Sequence, residues 1–256
     1  MYQEERLIAI LDYLKEHKRI SIEQICSLLD VSRDTARRDL VRLEEEQSVI
    51  RTRGGAILPT AHLEIKDYSN RLQTVSNEKK LIGKMASTLV NHTDSIILDA
   101  STTVQACAEQ LGNVPCTVIT NSINQADILS VNSKVNIHLL GGELHKEHRF
   151  LYGTSVVEKL SHFYVDTAFI GVVGISESGL TIAHEEDGQV KRKMISQAKQ
   201  VIVLADHTKI GVTGFYRFAE LKDIDLLITD QTPDSAFVKL LHEHHVELLV
   251  TDKGVK

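Results

Sequence analysis

The residues with the clearest chemical potential are arginines that recur at helical spacing early in the chain. They are Arg33, Arg37, Arg38 and Arg42. A guanidinium group donates parallel hydrogen bonds to a phosphate or to the edge of a guanine, so such residues on one helix can bind nucleic acid. Ser32 precedes them and suits a helix N-cap, because its hydroxyl accepts a bond from a backbone N–H of the first turn. The stretch therefore predicts a DNA-contacting helix.

The two faces of this helix differ in polarity. At about 100° per residue, Ala36, Leu40 and Leu43 share one narrow arc, which predicts a buried stripe. Thr35 and three of the arginines lie on the opposite arc, the side that a recognition helix presents to the major groove. Asp39 lies at the edge of the buried stripe, so we expect it to orient an arginine rather than to contact DNA.

Two alternatives stay open for this helix. A charge-rich helix is often only a solvated surface, and Glu44, Glu45 and Glu46 at its end would repel phosphate. Each arginine can contact a base or a phosphate, and the sequence does not separate the two kinds of contact.

Two further helices are predicted upstream. Residues 3–17 carry apolar side chains on one side. Residues 22–29 are amphipathic and follow Ser21, with Gln24 three residues on, which is a capping-box pattern. Residues 29–31 then leave room only for the tight corner of a helix-turn-helix motif.

A β-wing is predicted downstream. Residues 48–51 and 56–58 are β-prone and flank Gly54-Gly55, where glycine permits the positive φ of a tight hairpin turn. Arg51 and Arg53 would then lie on the wing, where they can contact phosphates or the minor groove.

These motifs resemble a known family. The run S-x-x-T-x-R-R-D-L-x-x-L from Ser32 to Leu43, followed by R-x-x-G-G-A from Arg51 to Ala56, is similar to the winged-helix signature of the DeoR family of bacterial transcriptional regulators. Gln47 departs from it, since the family usually has Gly or Asn there, and we expect a slightly strained helix end. The predicted DNA-binding residues are Ser32, Arg33, Thr35, Arg37, Arg38, Arg42, Arg51 and Arg53.

Composition limits the mode of DNA binding and the compartment. A net charge of -6 is not typical of a non-specific nucleic-acid coater, so binding should depend on the local arginine patch, doubled by dimerisation. Cys26, Cys107 and Cys116 sit in apolar surroundings without metal-like pairing, which indicates core residues in a reducing compartment. No apolar run approaches the roughly eighteen residues that cross a bilayer. We expect a cytoplasmic protein without a membrane partner.

The rest of the chain predicts a larger α/β domain with a mostly parallel sheet. Short apolar runs alternate with amphipathic helical stretches, a pattern typical of buried parallel strands. These runs are residues 95–98, 117–120, 135–140, 168–173, 201–205, 226–229 and 248–251. The predicted domains are a winged helix-turn-helix at 1–58, a linker at 59–76 with a helix starting near Lys79 after it, and a sensor domain at 77–256.

Polar residues end each predicted strand. They are Asp99, Asn121, Gly141-Gly142, Gly171, Asp206, Asp230 and Asp252. Ligands of open α/β sheets bind at the carboxyl ends of the strands, so several of these residues should converge there, although any single one can be a turn residue or a cap. Asp99 is followed by three hydroxyl residues, Ser101 to Thr103, and then by a helix. This arrangement suits a phosphate, but it can also be an ordinary N-cap cluster.

The family resemblance extends over this part as well. D-x-x-T-T at Asp99 to Thr103, Gly141-Gly142-Glu143-Leu144 and D-H-T-K-x-G at Asp206 to Gly211 resemble the DeoR sensor domain. That domain is related to sugar-phosphate isomerases and typically binds a phosphorylated sugar or a related metabolite. The resemblance implies an effector site, with the hydroxyl residues on the phosphate. Its residues would be Asp99, Ser101, Thr102, Thr103, Asn121, Gly141, Gly142, Glu186, Asp187, Lys191, Asp206 and Lys209. Ser101 stands where the family often has Gly, and its side chain can either block a phosphate or supply another hydroxyl.

Histidine spacing predicts neither a metal site nor a cofactor. His145 with His148, and the group His242, His244 and His245, lack a third ligand at a recognised spacing, so loop or surface histidines are expected.

Three functions are compatible with the sequence. The first is a homo-oligomeric repressor, dimer or tetramer, of a carbohydrate-utilisation operon, controlled by a phosphorylated sugar and without enzymatic activity. The second is a sugar-phosphate isomerase-like enzyme, with Asp99, Glu186 or Asp206 as base and Lys191 or Lys209 stabilising an enediolate. The winged helix argues against it. The third is a DNA-binding protein that no longer responds to an effector.

Overall fold

A computed structural model describes residues 3–17, 19–45, 48–52, 54–57 and 77–251. The chain divides into two compact units, Met1–Leu63 and Glu64–Lys256. The predicted linker, Gln47 and Arg53 lie outside the described residues, so the expected domain limits at 58 and 77 and the strained helix end stay predictions. Among the described residues, no helix combines the length and the apolar composition needed to cross a bilayer.

The N-terminal unit is a winged helix-turn-helix. Its elements are α1 Gln3–His17, β1 Arg19–Ser21, α2 Ile22–Leu29, α3 Arg33–Glu45, β2 Ile50–Thr52 and β3 Gly55–Ile57. The strands form an antiparallel sheet in the order β1-β3-β2, with Gly54 at a φ of 105° between β2 and β3. Strand β1 was not predicted, because three residues are too few to show an alternating pattern.

Local hydrogen bonds set the corner between α2 and α3. Ser21 Oγ accepts from the Gln24 N–H at 3.1 Å, and Gln24 Oε1 accepts from the Ser21 N–H at 2.8 Å, which confirms the capping box. Asp30 ends α2 in the left-handed conformation, with a φ of 50°. This turn lets α3 begin only three residues later, as a helix-turn-helix motif requires.

A buried ion pair joins the first and third helices. Asp39 is 0% exposed and accepts from Arg6 Nε at 2.7 Å and from Arg6 Nη2 at 3.0 Å. This hydrogen-bonded carboxylate raises the pKa of Arg6. Asp39 therefore orients an arginine, as expected, but that arginine belongs to α1 and not to the DNA-facing side of α3. The pair fixes the position of α3 against its support.

We expect Arg6→Ala to destabilise the N-terminal unit, because it leaves the Asp39 carboxylate buried with fewer donors. The melting transition of the N-terminal unit, followed in the full chain by differential scanning calorimetry, should fall by several degrees. Arg33→Ala is the matched control, because it removes an arginine from an ion pair in which both side chains are more than 60% exposed. Equal melting temperatures for the two variants would contradict this role of Arg6.

The C-terminal unit is built on a seven-stranded sheet in which every pair of neighbours is parallel. Its strands are β4 Ser95–Leu98, β5 Cys116–Thr120, β6 Val135–Leu139, β9 Val165–Gly171, β12 Ala198–Leu204, β14 Leu226–Thr229 and β15 Glu247–Val250. All seven predicted runs are strands of this sheet. The helices are α4 Asn77–Ser87, α5 Thr102–Gln110, α6 Ile123–Ser130, α7 Thr154–Leu160, α8 Glu185–Ser196 and α9 Ser235–Glu243.

Two small antiparallel sheets were not predicted. Strands β7 Glu143–His145 and β8 Phe150–Tyr152 form a hairpin, and β10 Gly174–Ser176, β11 Gly179–Ile182 and β13 Tyr216–Ala219 form a three-stranded sheet. Each strand has only three or four residues. Strand β13 also pairs with a segment distant in the sequence, which local periodicity does not reveal.

The strand order locates the crevice. The large sheet runs in the order β15-β14-β12-β9-β4-β5-β6. The chain therefore moves outward from β4 through β5 to β6, and then returns to the other side of β4 to build β9 and the strands beyond it. Ligands of open α/β sheets bind where the order reverses in this way, at the carboxyl ends of the two central strands. These ends are Asp99 after β4 and Gly171 at the end of β9.

Candidate functional sites

The exposed side of α3 carries the predicted DNA contacts. Ser32 Oγ accepts from the Thr35 N–H at 3.2 Å and lies 3.0 Å from Thr35 Oγ1, so the predicted cap forms. Arg33, Arg37 and Arg38 are exposed beyond it. The opposite stripe, Ala36, Leu40 and Leu43, is buried in the core of this unit. Burial of the stripe turns the arginines outward.

Most of these arginines have weak partners. The pairs are Arg33 with Glu23 at 2.8 Å, Arg37 with Asp34 at 3.7 Å, Arg42 with Gln3 at 3.1 Å and Arg51 with Glu44 at 3.4 Å. Exposed pairs of this kind contribute little stability and can exchange for phosphate. Arg38 is exposed and has no ion pair with any residue of the described part of the chain. Arg53 lies outside that part.

In the C-terminal unit, the carboxylate of Asp99 joins three elements. It is 0% exposed. Its Oδ2 accepts from the Gly171 N–H at 2.6 Å and from Lys191 Nζ, and its Oδ1 accepts from the Ser101 N–H at 2.8 Å. The end of β4, the end of β9 and helix α8 are therefore held at one point.

Lys191 places a buried cation in the crevice. The residue is 1% exposed, and its Nζ also donates to the Gly171 carbonyl at 3.2 Å. The Asp187 carboxylate, one turn earlier on α8, lies 3.9 Å from the same Nζ. A buried ammonium group needs such partners, and it also attracts an anionic ligand that can replace part of its solvation.

Ser101 is the N-cap of α5, and it contacts Gly171. Its Oγ accepts from the Val104 N–H at 3.2 Å. A Cβ at position 171 would overlap Ser101 Oγ and Cβ, so the serine side chain fits only because residue 171 is glycine. The side chain of Ser101, the residue that departs from the family pattern, therefore caps α5 and lies against the end of β9.

One cavity includes part of the predicted effector site. Ser101, Asp187 and Lys191 line it, and Asp99 bonds to two of these three residues. Its other lining residues are Ala100, His148, Phe150, Gly171, Val172, Val173, Ile182 and His184. The histidines and Phe150 come from the unpredicted hairpin and from the turn before α8, and no spacing in the sequence marks them as neighbours.

The other predicted effector residues do not line this cavity. Thr102 and Thr103 are buried in the first turn of α5. Asn121 donates to the Leu151 carbonyl at 3.0 Å and so holds the β7–β8 hairpin. Gly141, Gly142 and Glu186 are exposed, and Lys209 is half-buried. The carboxylate of Asp206 caps the turn at His207–Lys209 by accepting from the Thr208 N–H at 3.0 Å.

Asp230 follows strand β14 and bonds to His207, in the same turn that Asp206 caps. Its carboxylate accepts from the His207 N–H at 2.7 Å, and its other oxygen lies 2.7 Å from His207 Nδ1. Burial raises the pKa of Asp230, but the hydrogen bonds from His207 favour the charged form, and the net result is a lowered pKa. The strand ends on this side of the sheet thus bond to one another.

Gln125 supports the crevice and was not predicted to do so. It is 0% exposed on α6, and its Nε2 donates to the Asp99 carbonyl at 2.6 Å and to the Ser101 carbonyl at 3.3 Å. The side chain fixes the loop that carries the Asp99 carboxylate. A single glutamine in a predicted helix gives no local signal of such a role.

Comparison with known proteins decides the family. A model of the DeoR-like helix-turn-helix domain matches residues 6–62, and a model of the DeoR C terminal sensor domain matches residues 74–231. The chain belongs to the DeoR family. Its curated relatives in that family align over nearly the whole length of both chains.

Three comparisons describe how this DeoR-family chain relates to known proteins. It is 68% identical over 253 residues to the HTH-type transcriptional repressor GlcR of Bacillus subtilis, covering 99% of this chain and 98% of the relative. It is 28% identical to the glycerol-3-phosphate regulon repressor of Escherichia coli, covering 97% and 99%. Ribose 5-phosphate isomerase A of Methanocaldococcus jannaschii matches 52% of this chain and 53% of its own, with 19% identity and a TM-score of 0.38.

We expect Gly171→Ala to destabilise the C-terminal unit by about 1–3 kcal/mol, the usual cost of overpacking, because the added methyl overlaps Ser101. Urea unfolding of the full chain measures it. Ser101→Gly in the same chain should recover most of the loss, since removing the serine side chain makes room. Gly141→Ala is the control, because a Cβ there meets nothing within 4 Å. Failure of Ser101→Gly to rescue would rule out this packing.

Proposed function

We propose that this DeoR-family chain is a repressor of a carbohydrate-utilisation operon and that a phosphorylated sugar in the crevice controls it. The observation that carries the proposal is the buried Asp99–Lys191 pair at the point where the strand order reverses, in a chain whose other unit exposes an arginine-bearing recognition helix. The two relatives named as repressors support the direction of control. A regulator of this kind would act in the cytoplasm, where its operator lies.

The DNA contacts proposed are Ser32, Arg33, Thr35, Arg37, Arg38, Arg42, Arg51 and Arg53. Within this set, Arg38 is the candidate for a base contact. Its side chain is exposed near the N-terminal half of α3, the part of a recognition helix that contacts base edges. The arginines that are paired with exposed acids would exchange those partners for phosphates, and so position the helix.

The effector site proposed has an inner and an outer part. Asp99, Ser101, Asp187 and Lys191 form the inner part, where the lysine attracts an oxyanion and the Asp187 carboxylate accepts from sugar hydroxyls, while the buried Asp99 holds the lysine in place. The start of α5 offers backbone N–H groups to a phosphate. The outer part consists of the remaining predicted effector residues, which are Thr102, Thr103, Asn121, Gly141, Gly142, Glu186, Asp206 and Lys209.

Control requires that the effector bind two arrangements of the protein with different affinity. Binding of the effector would act directly on helix α8, because Asp187 and Lys191 both lie on it. In a homo-oligomer, a shift of the C-terminal units would change the spacing of paired recognition helices relative to two operator half-sites. If the recognition helices no longer matched the two half-sites, the protein would release the DNA.

The isomerase alternative has less support. An enzymatic base needs access to substrate, but Asp99 is 0% exposed, and both of its carboxylate oxygens already accept hydrogen bonds. Asp206 caps a turn. We therefore assign these carboxylates to binding and structure, without a catalytic role and without a cofactor.

Arg38→Ala should weaken binding of the protein to its own upstream DNA by about 1–3 kcal/mol and relax specificity at one base pair. Electrophoretic retardation at fixed salt measures both effects. Lys80→Ala is the matched control, since it removes one exposed positive charge from the C-terminal unit. An equal loss on specific and unrelated DNA would make Arg38 a phosphate contact instead.

Asp187→Asn should leave operator binding intact but abolish release by the effector, because it changes the charge beside Lys191 without removing the side chain. The assay is retardation with a panel of phosphorylated sugars and their unphosphorylated counterparts. Asp206→Ala tests the outer part in parallel. If it also abolishes release, the effector reaches beyond the cavity. Operator binding that no sugar of the panel releases would favour the alternative of a DNA-binding protein that no longer responds to an effector.

A further inference from the structure

Three histidines from separate segments meet beside the crevice. His145 ends strand β7, His148 lies in the β7–β8 turn, and His184 immediately precedes α8. One ring nitrogen of each lies within 4.8 Å of the others. The three ring centroids are 4.9, 5.0 and 4.9 Å apart and so form a nearly equilateral triangle.

We infer that His145, His148 and His184 bind one divalent transition-metal ion of the zinc or cobalt type. Imidazole nitrogens are preferred ligands of such ions, and three of them make a complete protein ligand set for a site that keeps one position open. A tetrahedral zinc ion with bonds of about 2.0–2.1 Å holds its nitrogens roughly 3.3 Å apart. From separations of at most 4.8 Å, the nitrogens would have to approach one another by up to about 1.5 Å on binding the ion.

The surroundings favour a formed site over a chance meeting of surface rings. His148 is 5% exposed, and the other two histidines are half-buried. The Phe150 ring lies 5.0 Å from that of His145, with the planes inclined by 22°, so it restricts the orientation of this imidazole. Burial and packing together reduce the rotamer freedom that three ligands lose on binding.

A contact between two of the histidines opposes the metal. The backbone N–H of His148 donates to the ring Nδ1 of His145 at 3.4 Å. Ligation through Nδ1 would replace this bond, and ligation through Nε2 would place a proton on Nδ1. Either route costs one hydrogen bond, but that bond is long and therefore weak.

The open coordination position is proposed to face the crevice. His148 and His184 line the same cavity as Ser101, Asp187 and Lys191. An oxygen of a bound anion or polyol could then complete the coordination, and the ion would link the β7–β8 hairpin to the start of α8. Metal binding itself does not depend on the proposed regulation, because it needs neither DNA nor effector.

Titration of the chelator-treated full chain with Zn²⁺ in a calorimeter, and with Co²⁺ in a spectrophotometer, tests the inference. We expect one ion per chain and the visible absorption of tetrahedral Co²⁺. His184→Gln and His145→Gln should each weaken binding at least tenfold. Both side chains are half-buried, so these variants are less disruptive than replacement of His148, and circular dichroism verifies folding.

The control is a double variant, His242→Gln and His244→Gln in one chain, which removes two exposed histidines near the end of α9. It should bind as the wild type does. Binding that disappears in this control but persists in His145→Gln and His184→Gln would overturn the inference, as would the absence of stoichiometric binding by the wild type. Because the readout is metal binding, its failure would leave the DNA and sugar assays unaffected.

Discussion

The C-terminal unit depends on one buried carboxylate. Asp99 has no solvent exposure, so its charge has to be balanced inside the protein, by the ammonium group of Lys191 and by two backbone N–H groups. These donors come from the loop after β4, the end of β9 and the second turn of α8. Satisfying this single charge therefore defines the relative positions of the elements that surround the crevice. The contact between Ser101 and Gly171 then sets how closely the first two approach.

A buried carboxylate also fixes the packing of the N-terminal unit. Its buried aspartate, Asp39, receives a bidentate arginine from α1, and this pair holds α3 from its inner side. On the outer side, Arg33 and Arg37 pair with exposed acids, and Arg38 has no ion pair among the described residues. Exposed pairs are weak and sensitive to salt, so those guanidinium groups are free to exchange partners. The strong electrostatic contact is structural, and the weak ones lie where DNA is proposed to bind.

Helix α8 connects the features of the crevice. Its first turns carry Asp187 and Lys191, and His184 precedes it, next to the other two histidines. A ligand on Lys191 and an ion on His184 would therefore both act on the start of this helix. A displacement of one helix is a common way in which a small change at a site is passed to a larger rearrangement.

Local patterns in the sequence were sufficient for the helices of the winged motif, the Ser21–Gln24 capping box and the seven strands of the large sheet. Each of these depends on neighbours a few residues apart, through helical periodicity, apolar runs or capping side chains. Family resemblance also named Asp99, Ser101, Asp187 and Lys191 as parts of one effector site, and the structure brings these four residues together, while the binding of an effector there stays a prediction. The grouping of distant segments was decided only by the tertiary structure. Strand order determined which strand ends meet, so Asp206 and Asp230 join a separate network, and Arg6 rather than an α3 arginine reaches Asp39. The same long-range packing brought His184 to His145 and His148, and a burial-driven contact of this kind leaves no periodic trace in the sequence.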